Sequence, residues 1–130
     1  MKVIVCIDEQ NGMLFNGRRV SSDKAVVDKI YQIAKGHPIF IDIFSVDLIK
    51  HALLKKNFIE YLKEDDFCFI ENIKLSDHKD KIDTVYVFKW NRSYPSDVKL
   101  DLDLSTYHLS HSEDFAGNSH DNITLEVWKK

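Results

Sequence analysis

Residues 1–23, MKVIVCIDEQNGMLFNGRRVSSD, decide the fold. Lys2 to Ile7 is an unbroken, β-branched apolar run, the pattern of a short strand covered on both faces. It breaks at once into Asp8-Glu-Gln-Asn-Gly12, and a second Asn-Gly step follows at Asn16-Gly17; both steps favour positive φ. Met13-Leu-Phe15, between them, is apolar and anchors the middle of the loop to the core. Arg18-Arg-Val-Ser-Ser-Asp23 then leads into a helix. A buried strand ending in a long polar loop sets side chains at the strand's carboxyl end, where open α/β sheets bind their ligands.

Outward from this stretch, Ser21, Ser22 or Asp23 caps a helix reaching Ala34. Its apolar positions recur at spacings of three and four, and Lys35-Gly36 closes it. Pro38 to Phe44 is a second strand, with Asp42 interrupting its apolar run. Ser45 or Asp47 is placed to cap a second helix through Leu48, Ile49, Ala52 and Leu53, continued by Asn57 to Leu62. Phe67 to Ile70 is a third buried strand and ends at Glu71-Asn72. Residues 73–81 are polar with a short helix. Thr84 to Phe88 is a further strand, and Leu100, Leu102 and Leu104 alternate with aspartates. Thr106–Ser110 and Asn122–Trp128 form the arms of a final hairpin around Ala116–Asp121. Helices alternating with strands, followed by antiparallel strands, define one three-layer α/β/α domain over residues 1–130 with a central mixed sheet.

Composition narrows the function. The 130 residues are 44% hydrophobic and 30% charged, enough for one core. The net charge of -3 provides no global positive field for nucleic acid. No run is apolar and long enough for a membrane helix, and the start lacks a signal peptide's pattern, so the expectation is a cytoplasmic protein that avoids membranes and nucleic acid. Cys6 and Cys68 lie inside apolar runs and read as reduced structural thiols.

The order of these fragments resembles the dihydrofolate reductases. Val3–Asp8 with Asn11-Gly12 and Asn16-Gly17 is similar to that family's first strand and the mobile loop after it. His37-Pro-Ile-Phe-Ile-Asp42 is similar to the strand before its Gly-Arg-x-Thr segment, and Phe67–Asn72 to the strand before its paired glycines. Thr84–Phe88 through Tyr94-Pro-Ser-Asp97, and the terminal Ile123–Lys130, complete the thread. The resemblance implies a catalytic acid near the start of the first helix, for which Asp23 and Asp28 are alternatives. Asp23 as a plain helix cap and Asp28 as an exposed helix carboxylate are the competing assignments. Independently of the resemblance, the polar first loop gives Asp8, Asn16, Arg18 and Arg19 as ligand-binding candidates, and Asp42 and Glu71, at the ends of two further buried strands, join them.

The departures point away from the family's cofactor, NADP. Asp42-Ile-Phe-Ser45 stands where the phosphate-binding Gly-Arg-x-Thr belongs, and Glu71-Asn72 replaces the paired glycines. A pyrophosphate needs free N–H groups, glycine clearance and positive potential. A carboxylate about 4 Å from a phosphate charge would oppose it by roughly 4 kcal/mol at an effective dielectric near 20. The expectation is therefore a small-molecule-binding relative without the NADPH site. Two alternatives stand beside it: an NADPH-dependent reductase of a pterin or related heterocycle, and a non-catalytic interaction or assembly domain, with oligomer formation left open. Asp42 and Glu71 could also form a carboxylate pair, although facing solvent or capping helices is the simpler role for both. The histidines at 108, 111 and 120 lack a chelating spacing and read as solvated residues of a hairpin, so no metal is expected.

Overall fold

Val3, Val5 and Ile7 of β1 (Lys2–Ile7) enter one apolar cluster, and Ile4 enters another on the opposite face. Alternation of the pleat therefore carries one strand through two cores. The computed structural model describes residues 1–130. After β1 the chain forms β2 (Gly12–Phe15), β3 (Arg18–Arg19), helix α1 (Lys24–Ala34), β4 (Ile39–Ile41) and β5 (Leu53–Leu54). Then come β6 (Phe67–Phe69), β7 (Thr84–Lys89), β8 (Val98–Lys99), β9 (His108–Phe115) and β10 (Ile123–Lys129).

The main sheet has the order β5-β4-β6-β1-β7-β10-β9. Its first five strands are parallel; β10 runs antiparallel to β7, and β9 antiparallel to β10. The sheet is mixed, as the sequence pattern predicts. β3, β2 and β8 form a small second sheet, which turns the loop after β1 into ordered structure. The carboxyl ends of β1, β4, β6 and β7 thus lie along one edge, together with the β9–β10 turn.

One face of the sheet is covered by α1 through Val26, Ile30 and Ala34, packed with Ile4, Phe69, Phe88 and Ile123. Asp23 caps this helix, as one of the expected alternatives has it. The other face carries no α-helix. Phe58, Ile59, Leu75 and Leu102, on short 3₁₀ turns and loops, seal it against Val3, Val5, Val85 and Val87.

The helix expected after Ser45 does not form. A 3₁₀ turn at Ile43–Ser45 is followed by β5, which pairs in parallel with β4. Eleven residues, Asp42 to Ala52, connect these two strands. A parallel crossover takes about a dozen residues or more, so no helix can run back along the sheet within this length. The three-and-four spacing has a different origin: Ile49 is buried in the core and Leu53 lies on the sheet edge.

Candidate functional site

Asp8, one residue past β1, is buried and accepts three backbone N–H bonds. Gln10 and Gly12 donate to Oδ1 at 2.9 and 2.7 Å, and Tyr94 donates to Oδ2 at 2.9 Å. Burial alone would raise its pKa, but these amides outweigh it and hold the carboxyl below its usual value. Asp8 ties the first turn to the segment after β7. Asn16 and Gly17, at φ 51° and 75°, make the tight turn of the β2–β3 hairpin, and the Asn16 amide donates to Asp97.

The hairpin brings Arg19 over the sheet edge. Its Nε and Nη2 donate to Glu71 at 2.8 and 3.0 Å, and its Nη1 and Nη2 donate to Asp47 at 2.8 and 2.9 Å. Ser45 Oγ donates to Glu71 Oε1 at 2.7 Å. One guanidinium thus grips two carboxylates in bidentate fashion, the geometry to which its planar fork is suited. The hydrogen bonds that Arg19 donates to Asp47 and Glu71 raise its pKa further, and Arg19 holds Asp47 below the ordinary carboxylate value. Asp42 caps its own turn by accepting from the Phe44 amide at 3.1 Å, and it also accepts from Asn72 Nδ2. Asp42 and Glu71 therefore make no carboxylate pair. Glu71 is ion-paired rather than a bare negative charge, so its effect on a phosphate differs from the repulsion expected above.

Asp23 is the most heavily bonded carboxylate of the edge. Besides the Ala25 amide, it accepts from the Asn118 and Ser119 amides at 2.9 and 2.8 Å, and from His120 Nδ1 at 2.9 Å. Its burial acts to raise the pKa, but the Asn118 amide, the His120 ring and the other donors prevail and keep it far below the normal range. A Cβ on Gly117 would lie 2.5 Å from Asp23 Oδ2, so this close approach of turn to helix requires glycine. Asp28 lies exposed on α1, about 200° around the helix from buried Val26.

His120, expected to be solvated, is buried. Its ring stacks on Trp90 with centroids 4.7 Å apart, and its Nε2 meets Ser21 Oγ at 2.9 Å and Tyr94 Oη at 3.2 Å. Nothing in the local pattern around His120 signals this, because Asp23 lies 97 residues away in the chain. His108 and His111 remain exposed on β9. No group of three or more His, Cys, Asp or Glu side chains is arranged to hold a metal.

Two cavities adjoin these groups. A water-sized one of about 10 Å³ lies between Cys6, Met13, Arg19, Ser21, Glu71 and Trp90. The Trp90 indole Nε1 is buried without a partner. Burial keeps the Cys6 thiol protonated and pushes Cys68 up to about 12. The second is an open cleft of about 510 Å³ between the hairpin and the turn after β4, lined by Gly17, Arg18, Arg19, Ile43, Phe44, Val46 and Asp47. Arg18 is exposed there and takes part in no ion pair, in contrast to its neighbour Arg19.

The central parallel strands and the antiparallel β10 and β9 beside them define the dihydrofolate reductase-like class of α/β fold. Among solved structures, the chain is similar to "Dihydrofolate reductase from Enterococcus faecalis complexed with NADP(H) and RAB-propyl". The TM-score is 0.73 at 10% identity, over 98% of this chain and 94% of that one. No family model and no curated protein sequence matches the chain. The likeness lies in the fold.

Proposed function

We propose that this protein uses a dihydrofolate reductase-like scaffold to bind a small anionic molecule with an apolar body, and that it does not use NADPH. The observation that carries the proposal is the contrast between two adjacent arginines. Arg19 is closed onto Glu71 and Asp47, whereas Arg18 stands without an ion pair on a mixed cleft whose apolar part is Ile43, Phe44 and Val46. An unengaged guanidinium beside Phe44, Ile43 and Val46 suits a carboxylate or phosphate attached to a flat or aliphatic body.

The residues present do not fit a nicotinamide dinucleotide. The Arg19, Glu71 and Asp47 group carries a net single negative charge, and breaking it open would leave Glu71 buried and unpaired. After β4 there is a three-residue 3₁₀ turn instead of a helix N-terminus aimed at phosphate, and its first free amide is capped by Asp42. Neither aspartate suits proton delivery to a substrate: Asp23 is held ionised by four donor residues, and Asp28 faces solvent.

Thermal melting and quenching of Trp90 and Trp128 fluorescence test this. Addition of NADPH up to millimolar concentration leaves both unchanged. A panel of aromatic and aliphatic carboxylates and phosphates yields saturable stabilisation, which Arg18→Ala removes. Saturable NADPH binding at micromolar concentration would overturn the assignment.

A further inference from the structure

Asp23, His120 and Ser21 are joined in one line. His120 Nδ1 lies 2.9 Å from Asp23 Oδ2, and His120 Nε2 lies 2.9 Å from Ser21 Oγ. A carboxylate that can only accept sets the ring proton on Nδ1, which leaves Nε2 of the neutral ring free to accept. Two hydroxyls reach Nε2, Ser21 Oγ at 2.9 Å and Tyr94 Oη at 3.2 Å; the nearer, Ser21, is the one placed to pass its proton to the ring, with Tyr94 Oη also 3.4 Å from Ser21 Oγ. The Trp90 stack and the Ser119 bonds to the Asp23 carboxylate hold the ring and its partner in place. This is the arrangement in which a serine hydroxyl becomes a nucleophile, recognised by geometry and roles rather than by chain order.

A second, independent observation concerns the space beside the hydroxyl. Ser21 and Trp90 line the same cavity of about 10 Å³, and the Trp90 indole N–H is a buried donor without an acceptor. An unpaired buried N–H costs free energy unless something accepts from it. A developing oxyanion at Ser21 would be such an acceptor, and the cavity has room for an oxygen atom but not for a long acyl chain.

We infer that Ser21 is an acyl-accepting nucleophile toward esters of short carboxylic acids, with His120 as general base and Asp23 as its positioning residue. Ser21 Oγ bonds to the ester carbonyl carbon as its proton passes to His120 Nε2. The tetrahedral oxyanion is met by the Trp90 N–H. Its collapse breaks the ester C–O bond, and Nε2 returns the proton to the departing alcohol oxygen. Water then attacks the acyl-serine by the same proton path, releasing the acid and restoring the Ser21 hydroxyl. Ser21 is only partly buried, which leaves it a path to solvent. The inference is independent of the anion cleft, whose lining residues do not include Ser21.

Methanesulfonyl fluoride, whose single methyl group matches a short acyl chain, is the probe, with intact-mass and peptide mapping as the readout. Wild-type protein gains one adduct, located on Ser21. Ser21→Ala abolishes labelling and His120→Gln slows it by roughly 10²-fold or more, the usual share of general-base assistance, while His108→Gln, at an exposed ring on β9, retains it. Folded Asp23→Asn labels slowly with an altered pH profile, which a purely structural carboxylate would not change. An unlabelled wild type, an adduct on Tyr94 or elsewhere, or Ser21 labelling that is indifferent to His120→Gln would each overturn the inference. Mapping on the wild type decides the matter if a variant fails to fold.

Discussion

Arg19 and its two carboxylates show how differently two ion pairs to one side chain can count. Glu71 is 8% exposed on its side chain and Asp47 is 67% exposed. Removing the guanidinium strands a buried carboxylate, so Arg19→Ala should cost about 3–5 kcal/mol, whereas Asp47→Ala, on a solvent-screened pair, should cost under about 1 kcal/mol. Urea denaturation of the two variants measures the difference directly; equal losses would mean that Glu71 finds water in the folded state. That Arg18 and Arg19 follow a tight turn in the loop after β1 was legible from their place after the second Asn-Gly step. Which of them is free was not, because Glu71 lies 52 residues beyond Arg19 and meets it only where β6 lies beside β1 and the β2–β3 hairpin folds over that edge.

Two glycines separate conformational from steric constraints at the level of elements. Gly17, at φ 75°, has nothing within 4 Å of an added Cβ. Gly17→Ala therefore meets only the left-handed backbone penalty, roughly 1–2 kcal/mol. Gly117 is pressed against Asp23 Oδ2 and Ile123 Cδ1, at 2.5 and 2.7 Å from the same hypothetical atom. Gly117→Ala must push the β9–β10 turn off the start of α1 and break the Asp23–His120 contact with it. Chemical denaturation should rank Gly117→Ala as the more damaging variant, and the His120 ring signal in NMR should shift in it but not in Gly17→Ala. The hairpin turn was readable from Asn16-Gly17 alone. The docking of the 116–122 turn was not, since its polar composition suits a solvated turn equally well.

Acid sensitivity is a property of the whole molecule. Asp8, Asp23, Asp47, Asp83 and Asp101 all have folded-state pKa values below the ordinary one. A group whose folded pKa lies below its unfolded value of about 3.9 stabilises the fold above that pH. The contribution disappears as pH falls toward the folded pKa, because the unfolded chain takes up protons first. Melting temperature should therefore change little on account of these groups between about pH 5 and 7 and fall steeply below about pH 4. Asp23→Asn should flatten that fall; an unchanged slope would show that Asp23 does not carry its share of the acid response.

Local pattern determined the fold class. The apolar run Lys2–Ile7, the periodicity and cap of residues 23–34, the buried Phe67–Ile70 and the alternation of Ile123, Leu125 and Val127 depend on steric and solvation rules that act within a few residues. The tertiary structure decided which groups of the carboxyl edge are paired and which are buried. Strand order together with the β2–β3 hairpin brings Glu71 to Arg19, the docking of the β9–β10 turn on the start of α1 brings His120 to Asp23, and the shortness of the link between β4 and β5 turned an expected helix into a 3₁₀ turn and an edge strand. Charge pairing and burial are set by neighbours in space, and these neighbours are separated by 52 and 97 residues of chain.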